Sequence, residues 1–122
     1  MNQRRLRTTF PEAIHSIKDY IDQHPLEIKT IGELIQKTHS QIGINLLHQG
    51  FRKLYGTRIK EYEIRKRLEA AAHLVQQDEL TMQEITTLCG YSSQSSFVRA
   101  FKEVHGITPG QWRNQHAPLL VS

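Results

Sequence analysis

The side chains most able to do specific chemistry in this 122-residue chain form one polar run, Ser92-Ser93-Gln94-Ser95-Ser96, followed by Arg99. If the segment is helical, Gln94, Ser95 and Arg99 share one exposed side, because residues about one turn apart are neighbours on a helix surface. Glutamine suits adenine, arginine suits guanine or a phosphate, and serine can contact either kind of group. An ordinary polar helix start followed by a solvated arginine has the same pattern. The run therefore favours nucleic-acid contact without deciding it.

The other chemistry-bearing residues do not indicate catalysis or metal binding. The seven histidines include no His-x-x-x-His pair, and the single cysteine, Cys89, excludes a Cys-x-x-Cys zinc site. No glycine-rich phosphate loop, Ser-His-Asp set or paired carboxylates stand out. We therefore predict that the protein is not an enzyme and has no cofactor or metal site, and that Cys89 is a small packed residue.

The whole chain has a net charge of +4 and a pI near 9.4, and its basic residues are concentrated in one segment. Residues 51–67 hold seven basic and two acidic side chains, whereas residues 68–98 hold four acidic side chains and no basic ones. A cationic surface separate from an acidic one is common in nucleic-acid-binding proteins. A solvated helix face gives the same distribution.

Composition excludes several protein classes. A hydrophobic content of 38% with only 7 glycines and 4 prolines excludes disordered and collagen-like chains. No apolar run approaches the roughly 20 residues of a membrane span, and no apolar region follows the basic N-terminus. The single cysteine fits a reducing compartment. We expect a soluble cytoplasmic protein that does not contact the membrane.

The spacing of apolar residues predicts helices along the whole chain. Three- and four-residue steps in the first segment predict an amphipathic helix that ends near His24-Pro25. Capping boxes at Thr30–Glu33 and Thr81–Glu84 predict the starts of two short helices. A further helix is expected to end at Gly56 in the left-handed conformation.

A long helix is predicted from about Arg58 to Gln77, and a last short helix from Thr108-Pro109, with Trp112 as its anchor in the core. Strand-like alternation is not found in the sequence. The predicted fold class is all-α, with about seven helices.

Part of the pattern is repeated. Residues 51–56, Phe-Arg-Lys-Leu-Tyr-Gly, align with residues 101–106, Phe-Lys-Glu-Val-His-Gly, at an offset of 50. Two copies suit a duplicated helix-turn-helix, in which a short helix supports a second one that enters the DNA major groove. A joining helix of about 20 residues would be roughly 30 Å long, close to the ~34 Å between successive major grooves on one DNA face. One chain could then read two neighbouring grooves.

These signals predict five segments. They are a basic arm and first helix (1–27), a first helix-turn-helix (28–57), a linker helix (58–78), a second helix-turn-helix with the final helix (79–116) and a tail (117–122). Arg4, Arg5 and Arg7 form either an arm that touches DNA phosphates or a disordered terminus. The apolar tail packs either on the domain or on a partner.

Residues 28–113 resemble the DNA-binding domain of the AraC/XylS family of bacterial transcription regulators. The likeness rests mainly on residues 85–102, with the pattern Gly-aromatic-Ser-x-x-Ser-x-Phe-x-x-x-Phe-Lys, and on the following Gly-x-Thr-Pro and Trp-Arg. The resemblance implies two helix-turn-helix units that bind consecutive major grooves of double-stranded DNA, and RNA polymerase as a further partner. It assigns Gln94, Ser95, Ser96 and Arg99 to the DNA-facing side of the second recognition helix.

The first unit departs from the family pattern, since the stretch from Leu34 to Leu47 is about two residues longer than usual. The extra residues lie before Ile42-Gly43-Ile44-Asn45, or the recognition helix begins earlier with Ser40 as its cap. Gly50 is a poor helix-interior residue, and we expect it to permit close approach of a neighbouring helix.

The candidate DNA contacts fall into two sets. The predicted base-reading residues are Asn45, His48 and Gln49 in the first unit and Ser93, Gln94, Ser95, Ser96 and Arg99 in the second. The predicted phosphate contacts are Arg52, Lys53, Arg58 and Lys102.

The function indicated by these features is a sequence-specific DNA-binding transcription regulator. The alternatives are a protein-interaction module whose basic surface binds an acidic partner, and a non-specific architectural DNA-binding protein. Family members commonly carry a separate effector-binding or dimerisation domain, for which the roughly 27 residues before the first unit are too short. The chain is thus either a stand-alone regulator or the C-terminal piece of a larger one.

Overall fold

The computed structural model describes residues 9–27, 30–38 and 43–116. These residues form seven helices and no strand, which confirms the all-α prediction for the described part of the chain. The helices are α1 (Phe10–Gln23), α2 (Ile31–Thr38), α3 (Ile44–Tyr55), α4 (Ile59–Gln77), α5 (Met82–Leu88), α6 (Gln94–His105) and α7 (Pro109–His116). None of the helices formed by the described residues is long and apolar enough to cross a membrane. The predicted arm, the tail and Ser40 lie outside the described residues.

Side-chain caps fix several of the helix starts. Thr81 and Glu84 form the predicted capping box, in which each side chain accepts a hydrogen bond from the other residue's backbone N–H. An equivalent box that the sequence analysis did not identify, Thr9 with Glu12, begins α1. The backbone N–H of Thr81, followed by its hydroxyl, lowers the pKa of Glu84 below its ordinary value.

The chain divides into two compact units, Met1–Lys66 and Arg67–Ser122. The division falls inside α4, so the first turns of this helix belong to the first unit and the remaining turns to the second. The 19 residues of α4 agree with the predicted long helix.

The core of the first unit is built from four helices. Its buried side chains are Ile14, Ile17, Ile21, Leu34, Leu47, Phe51, Ile59 and Tyr62. Gly50 of α3 lies directly against α1, because a Cβ atom at this position would be 2.4 Å from Cζ of Phe10 and 3.0 Å from Cδ1 of Ile14. The expectation that Gly50 allows a helix to approach closely is confirmed.

A polar cluster also fastens α1 to α4. The Tyr62 hydroxyl donates to Asp22, and Nζ of Lys18 lies 2.9 Å from the other oxygen of the same carboxylate. Partial burial raises the pKa of Asp22, but the hydrogen bonds from Tyr62 and Lys18 outweigh it, so that the net pKa is lowered. The Asp22 carboxylate is therefore held in its charged form at neutral pH.

The second unit packs around two phenylalanines of α6, Phe97 and Phe101, which are fully buried. The predicted anchor Trp112 is partly buried and lies against Phe101, with ring centroids 5.9 Å apart. Nε2 of His105, at the end of α6, lies 2.9 Å from the carbonyl oxygen of Leu68 in α4. Cys89 is fully buried, as predicted for a packed residue.

Two apolar residues that belong to the predicted helix patterns, Leu54 and Leu88, are 47% and 46% exposed. Each lies in the last turn of its helix, where the helix extends past the core. Periodicity alone does not distinguish these end positions from buried ones.

Candidate nucleic-acid interface

The second unit presents one polar side of α6 to solvent. The opposite side of this helix is fixed in the core by its two buried phenylalanines. Ser96 is partly buried. The exposed predicted contacts on the helix are Gln94, Ser95, Arg99 and Lys102.

Ser93 caps the N-terminus of α6. Its hydroxyl oxygen accepts a hydrogen bond from the backbone N–H of Ser96 at 3.1 Å and lies 2.8 Å from the Ser96 hydroxyl. Ser93 is itself exposed. The cap fixes the first turn of α6, which is the part of a recognition helix that meets base edges.

The turn before α6 is held by α5. The buried Thr86 hydroxyl donates to the carbonyl oxygen of Met82 at 2.8 Å, and the Thr86 carbonyl accepts from the backbone N–H of Tyr91 at 3.1 Å. Gly90 has φ 80°, a left-handed conformation that favours glycine, and reverses the chain between the two helices. The Tyr91 ring then packs on Phe97, with centroids 5.8 Å apart. This arrangement is a helix-turn-helix.

In the first unit α2 and α3 occupy the positions of α5 and α6 in the sequence repeat, and residues 39–42 between them lie outside the described part of the chain. The interior side of α3 carries Leu47, Gly50 and Phe51, all buried. The predicted contact residues all lie exposed on other sides of α3, and they are Asn45, His48, Gln49, Arg52 and Lys53.

The structure fixes the start of the first recognition helix. Gly43 is the N-cap of α3, with an extended backbone and no side-chain cap, and its carbonyl accepts from the N–H of Leu47 at 3.0 Å. Among the described residues α3 begins at Ile44, and Ser40, the alternative cap, lies outside them.

Four of the predicted contact residues meet at one place on the first unit. They line a single open depression at the surface, and they are His48, Gln49, Arg52 and Arg58. The structure thus brings together two predicted base-reading residues and two predicted phosphate contacts from α3 and the start of α4.

Glu61 positions the backbone next to this depression. Its carboxylate accepts from the N–H of Arg58 at 3.2 Å and from the Thr57 hydroxyl at 3.3 Å, closing the first turn of α4. The hydrogen bond from Arg58 is the main reason why the pKa of Glu61 is lowered, and the charges of Arg58 and Arg52 add to the effect. The sequence analysis did not identify Glu61, although a glutamate three residues after a helix cap is a recognisable signal.

The two recognition helices have the same length and the same register in the sequence repeat. Each has 12 residues, α3 and α6 begin 50 positions apart, and each ends at a left-handed glycine, Gly56 with φ 73° and Gly106 with φ 81°. The preceding helices α2 and α5 begin 51 positions apart, so the two helix starts of the first helix-turn-helix are one residue further apart than those of the second.

This register shows two further exposed positions that the sequence analysis missed. Ile44 and Leu46 are 45% and 54% exposed, and they match Gln94 and Ser96 of α6. The sequence analysis did not consider them as contact residues, because apolar residues are usually buried. The repeat could have identified them, since its offset of 50 aligns Ile44 and Leu46 with two predicted base-reading positions, Gln94 and Ser96.

The residues that the structure describes contain no cluster of three or more histidine, cysteine, aspartate or glutamate side chains that could hold a metal ion.

Comparison with known proteins gives consistent results. A family model described as a helix-turn-helix domain matches residues 37–115. The chain is 30% identical over 97 residues to the probable transcriptional regulator LumQ of Photobacterium leiognathi, covering 80% of this chain and 38% of that protein. The chain spans about a third of the length of the curated relatives that it matches first.

Solved structures share the fold. The C-terminal domain of AraT, a response regulator from Geobacillus stearothermophilus, superposes with a TM-score of 0.77 at 23% identity and covers 90% of both chains. The DNA-binding domain of the global transcriptional factor AdpA, solved in complex with a target DNA, gives a TM-score of 0.73 at 18% identity, covering 84% of this chain and 91% of that one.

Proposed function

Since this chain belongs to the helix-turn-helix domain family of AraC/XylS-type regulators, we propose that it binds double-stranded DNA with sequence specificity and regulates transcription. The observation that carries the proposal is the matched pair of recognition helices. Each buries one side through two large apolar residues four positions apart and exposes polar side chains along its outer side. Such a helix is suited to the major groove, because its interior side is fixed and its outer side can hydrogen-bond to bases.

The proposed roles follow from side-chain chemistry and exposure. In the second unit, Gln94, Ser95 and Arg99 read bases, with Ser93 and Ser96 at the capped end of the same helix. In the first unit, Asn45 and Gln49 suit adenine, and His48 lies beside them. Phosphate contacts come from four exposed basic residues, Arg52, Lys53, Arg58 and Lys102.

We further propose that one chain reads two successive major grooves. The proposal rests on one recognition helix in each of the two units, because each such helix occupies one major groove. Hydroxyl-radical footprinting tests this directly. We expect one chain to protect two half-sites one helical turn apart, and protection of a single half-site would contradict it.

Two other partners belong to the same proposal. RNA polymerase is the expected protein partner of a transcription regulator of this family, and an effector-binding or dimerisation domain is expected alongside the DNA-binding part. The proposal requires no catalytic step, and it implies that the protein works in the cytoplasm, where bacterial DNA lies.

The decisive experiment is selection of bound sequences from a pool of random duplexes, followed by fluorescence anisotropy at several salt concentrations. We expect enrichment of a bipartite motif and specific affinity at least about 10³-fold above non-specific affinity. Tight, steeply salt-dependent binding with no enriched sequence would indicate a non-specific architectural protein. No DNA binding at low salt would leave the protein-interaction module as the better description.

A further inference from the structure

The exposed aliphatic side chains at the start of α3 have no counterpart at the matching positions of α6. Ile44 and Leu46 lie where α6 has Gln94 and Ser96. Three of the five large hydrophobic residues that are exposed among the described residues belong to α3. The first recognition helix is therefore apolar at two positions where the second is polar.

These side chains are placed to reach the floor of a major groove. In an α-helix every Cα–Cβ bond tilts toward the N-terminus, so side chains of the first turn project from the end that enters the groove. Leu46 lies one turn before Gln49 and two turns before Lys53, and Ile44 is one turn before His48. Because residues two apart do not face each other on a helix, Ile44 and Leu46 lie on different sides of α3, and each borders predicted contact residues.

The charge of the surroundings indicates which molecule covers this apolar surface. Arg52 and Lys53 are exposed on the same helix, and Arg52 lines one depression with Arg58. This basic surface suits a polyanion. The only apolar group that duplex DNA presents in the major groove is the 5-methyl group of thymine.

We propose that Ile44 and Leu46 read thymine methyl groups, so that the half-site bound by the first unit is rich in A·T pairs. This inference rests on the proposed DNA-binding function and adds its base preference. Asn45, between the two aliphatic residues, suits the adenine of such pairs. The second unit, with Gln94 and Arg99 at its polar helix start, accepts guanine as well as adenine.

The test replaces thymine by deoxyuridine, which removes the methyl group and leaves base pairing unchanged. Each thymine of the selected DNA site is replaced in turn, and binding of the 122-residue chain is measured by anisotropy. We expect at least one replacement in one half-site to weaken binding about fourfold, the effect of removing one buried methyl group from an interface.

Alanine variants show whether Ile44 or Leu46 causes the loss of affinity on uracil replacement. Ile44→Ala and Leu46→Ala should bind the thymine site about fourfold more weakly, and one or both should no longer distinguish uracil from thymine at the sensitive position. Leu54→Ala is the matched control, because it is an equally exposed aliphatic residue at the other end of α3. It should keep the full sensitivity to uracil, and circular dichroism should show unchanged helix content in all three variants.

The outcomes separate the two proposals. A selected site without thymine in either half, indifference of the wild-type chain to every uracil replacement, or full uracil sensitivity in both alanine variants would overturn the methyl-reading role while leaving DNA binding in place. Failure of the selection to enrich any sequence would instead contradict the proposed function itself. The uracil scan on the wild-type chain gives its answer without any variant.

Discussion

The two recognition helices have the same length and end in the same way, but they begin differently. The second helix starts at Ser93, whose hydroxyl satisfies a backbone N–H of the first turn, whereas the first starts at Gly43 with no side-chain cap. The buried sides of the two helices are similar, since the matched residues Phe51 and Phe101 are both fully buried. The comparison indicates that packing was retained in the two copies while the solvent-facing starts diverged.

The interior sides of the two helices differ at two matched positions, Leu47 against Phe97 and Gly50 against Ala100. In the first unit the missing Cβ makes room for Phe10 of α1. The corresponding place in the second unit is occupied by a partly buried alanine. The first unit is therefore adapted to an additional helix that packs against its recognition helix.

The largest expected effect tests the shared packing. Phe51→Ala and Phe101→Ala should each lower the free energy of unfolding by about 3–5 kcal/mol, because each removes a fully buried aromatic ring. Urea denaturation followed by circular dichroism measures the loss. The exposed residues Leu54 and Leu88 provide controls, and their alanine variants should change stability by about 0.5 kcal/mol or less. A loss below about 1 kcal/mol for either phenylalanine would break the comparison of the two cores.

The next largest expected effect is on DNA affinity and tests the exposed sides of α3 and α6 at the matched positions Gln49 and Arg99. Arg99→Ala should weaken binding to the selected site by about 1–3 kcal/mol and relax the preference at one base pair in the second half-site. Gln49→Ala should do the same in the first half-site. Lys102→Ala serves as the phosphate control, with a uniform loss across sequences and a salt slope lower by about one. If Arg99→Ala weakens all sequences equally, arginine contacts a phosphate and not a base.

The cap difference predicts opposite effects at equivalent positions. Ser93→Ala should destabilise the protein by about 1 kcal/mol, because the first turn of α6 loses the acceptor for the Ser96 N–H. Gly43→Ser should stabilise it by roughly 0.3 kcal/mol, since serine is the better cap and a Cβ at Gly43 meets no atom within 4 Å. Urea titrations of both variants give the values, with Ser92→Ala as the neighbouring control. Destabilisation by Gly43→Ser would show that the first helix needs glycine at its start.

The smallest effect compares two capping boxes that contain glutamate, Thr9–Glu12 of the first unit and Thr81–Glu84 of the second. Hydrogen bonds from Thr9 and from Thr81 lower the pKa of Glu12 and Glu84 below the ordinary 4.5. A lowered folded-state pKa adds stability that is complete above the ordinary value and is lost as the pH falls through the folded value. The melting temperature should therefore fall as the pH decreases below about 4.5. Glu12→Gln and Glu84→Gln should each make that decline shallower, and unchanged profiles would show that the boxes do not contribute.

Much of the fold follows from local signals that lie close together in the sequence. The Thr81–Glu84 box, the glycine at position 56 and the long apolar pattern of α4 were sufficient to predict those elements. The close approach at Gly50 was predictable because a glycine inside a helix needs a packing reason. The box at Thr9–Glu12 carried the same signal as the others, with a proline, Pro11, at the second helical position.

The candidate site was less predictable, for physical reasons. Gly43 provides no side-chain signal for the start of α3, whereas the Ser93 hydroxyl marks the start of α6. The exposure of Ile44 and Leu46 depends on where the core ends, which periodicity does not encode. The assignment of individual base and phosphate contacts remains a prediction that the experiments above can test.

Helix α1 lies before the residues that match the family model, yet three of its isoleucines, Ile14, Ile17 and Ile21, are completely buried in the first unit. A fragment trimmed to the matched region would leave the hydrophobic side of α3 in water and invite aggregation. Exchange of DNA-binding specificity between relatives therefore has to carry the preceding helix along with the recognition helix that it supports. In this chain the hydrophobic core of the first unit extends beyond the residues that the family model matches.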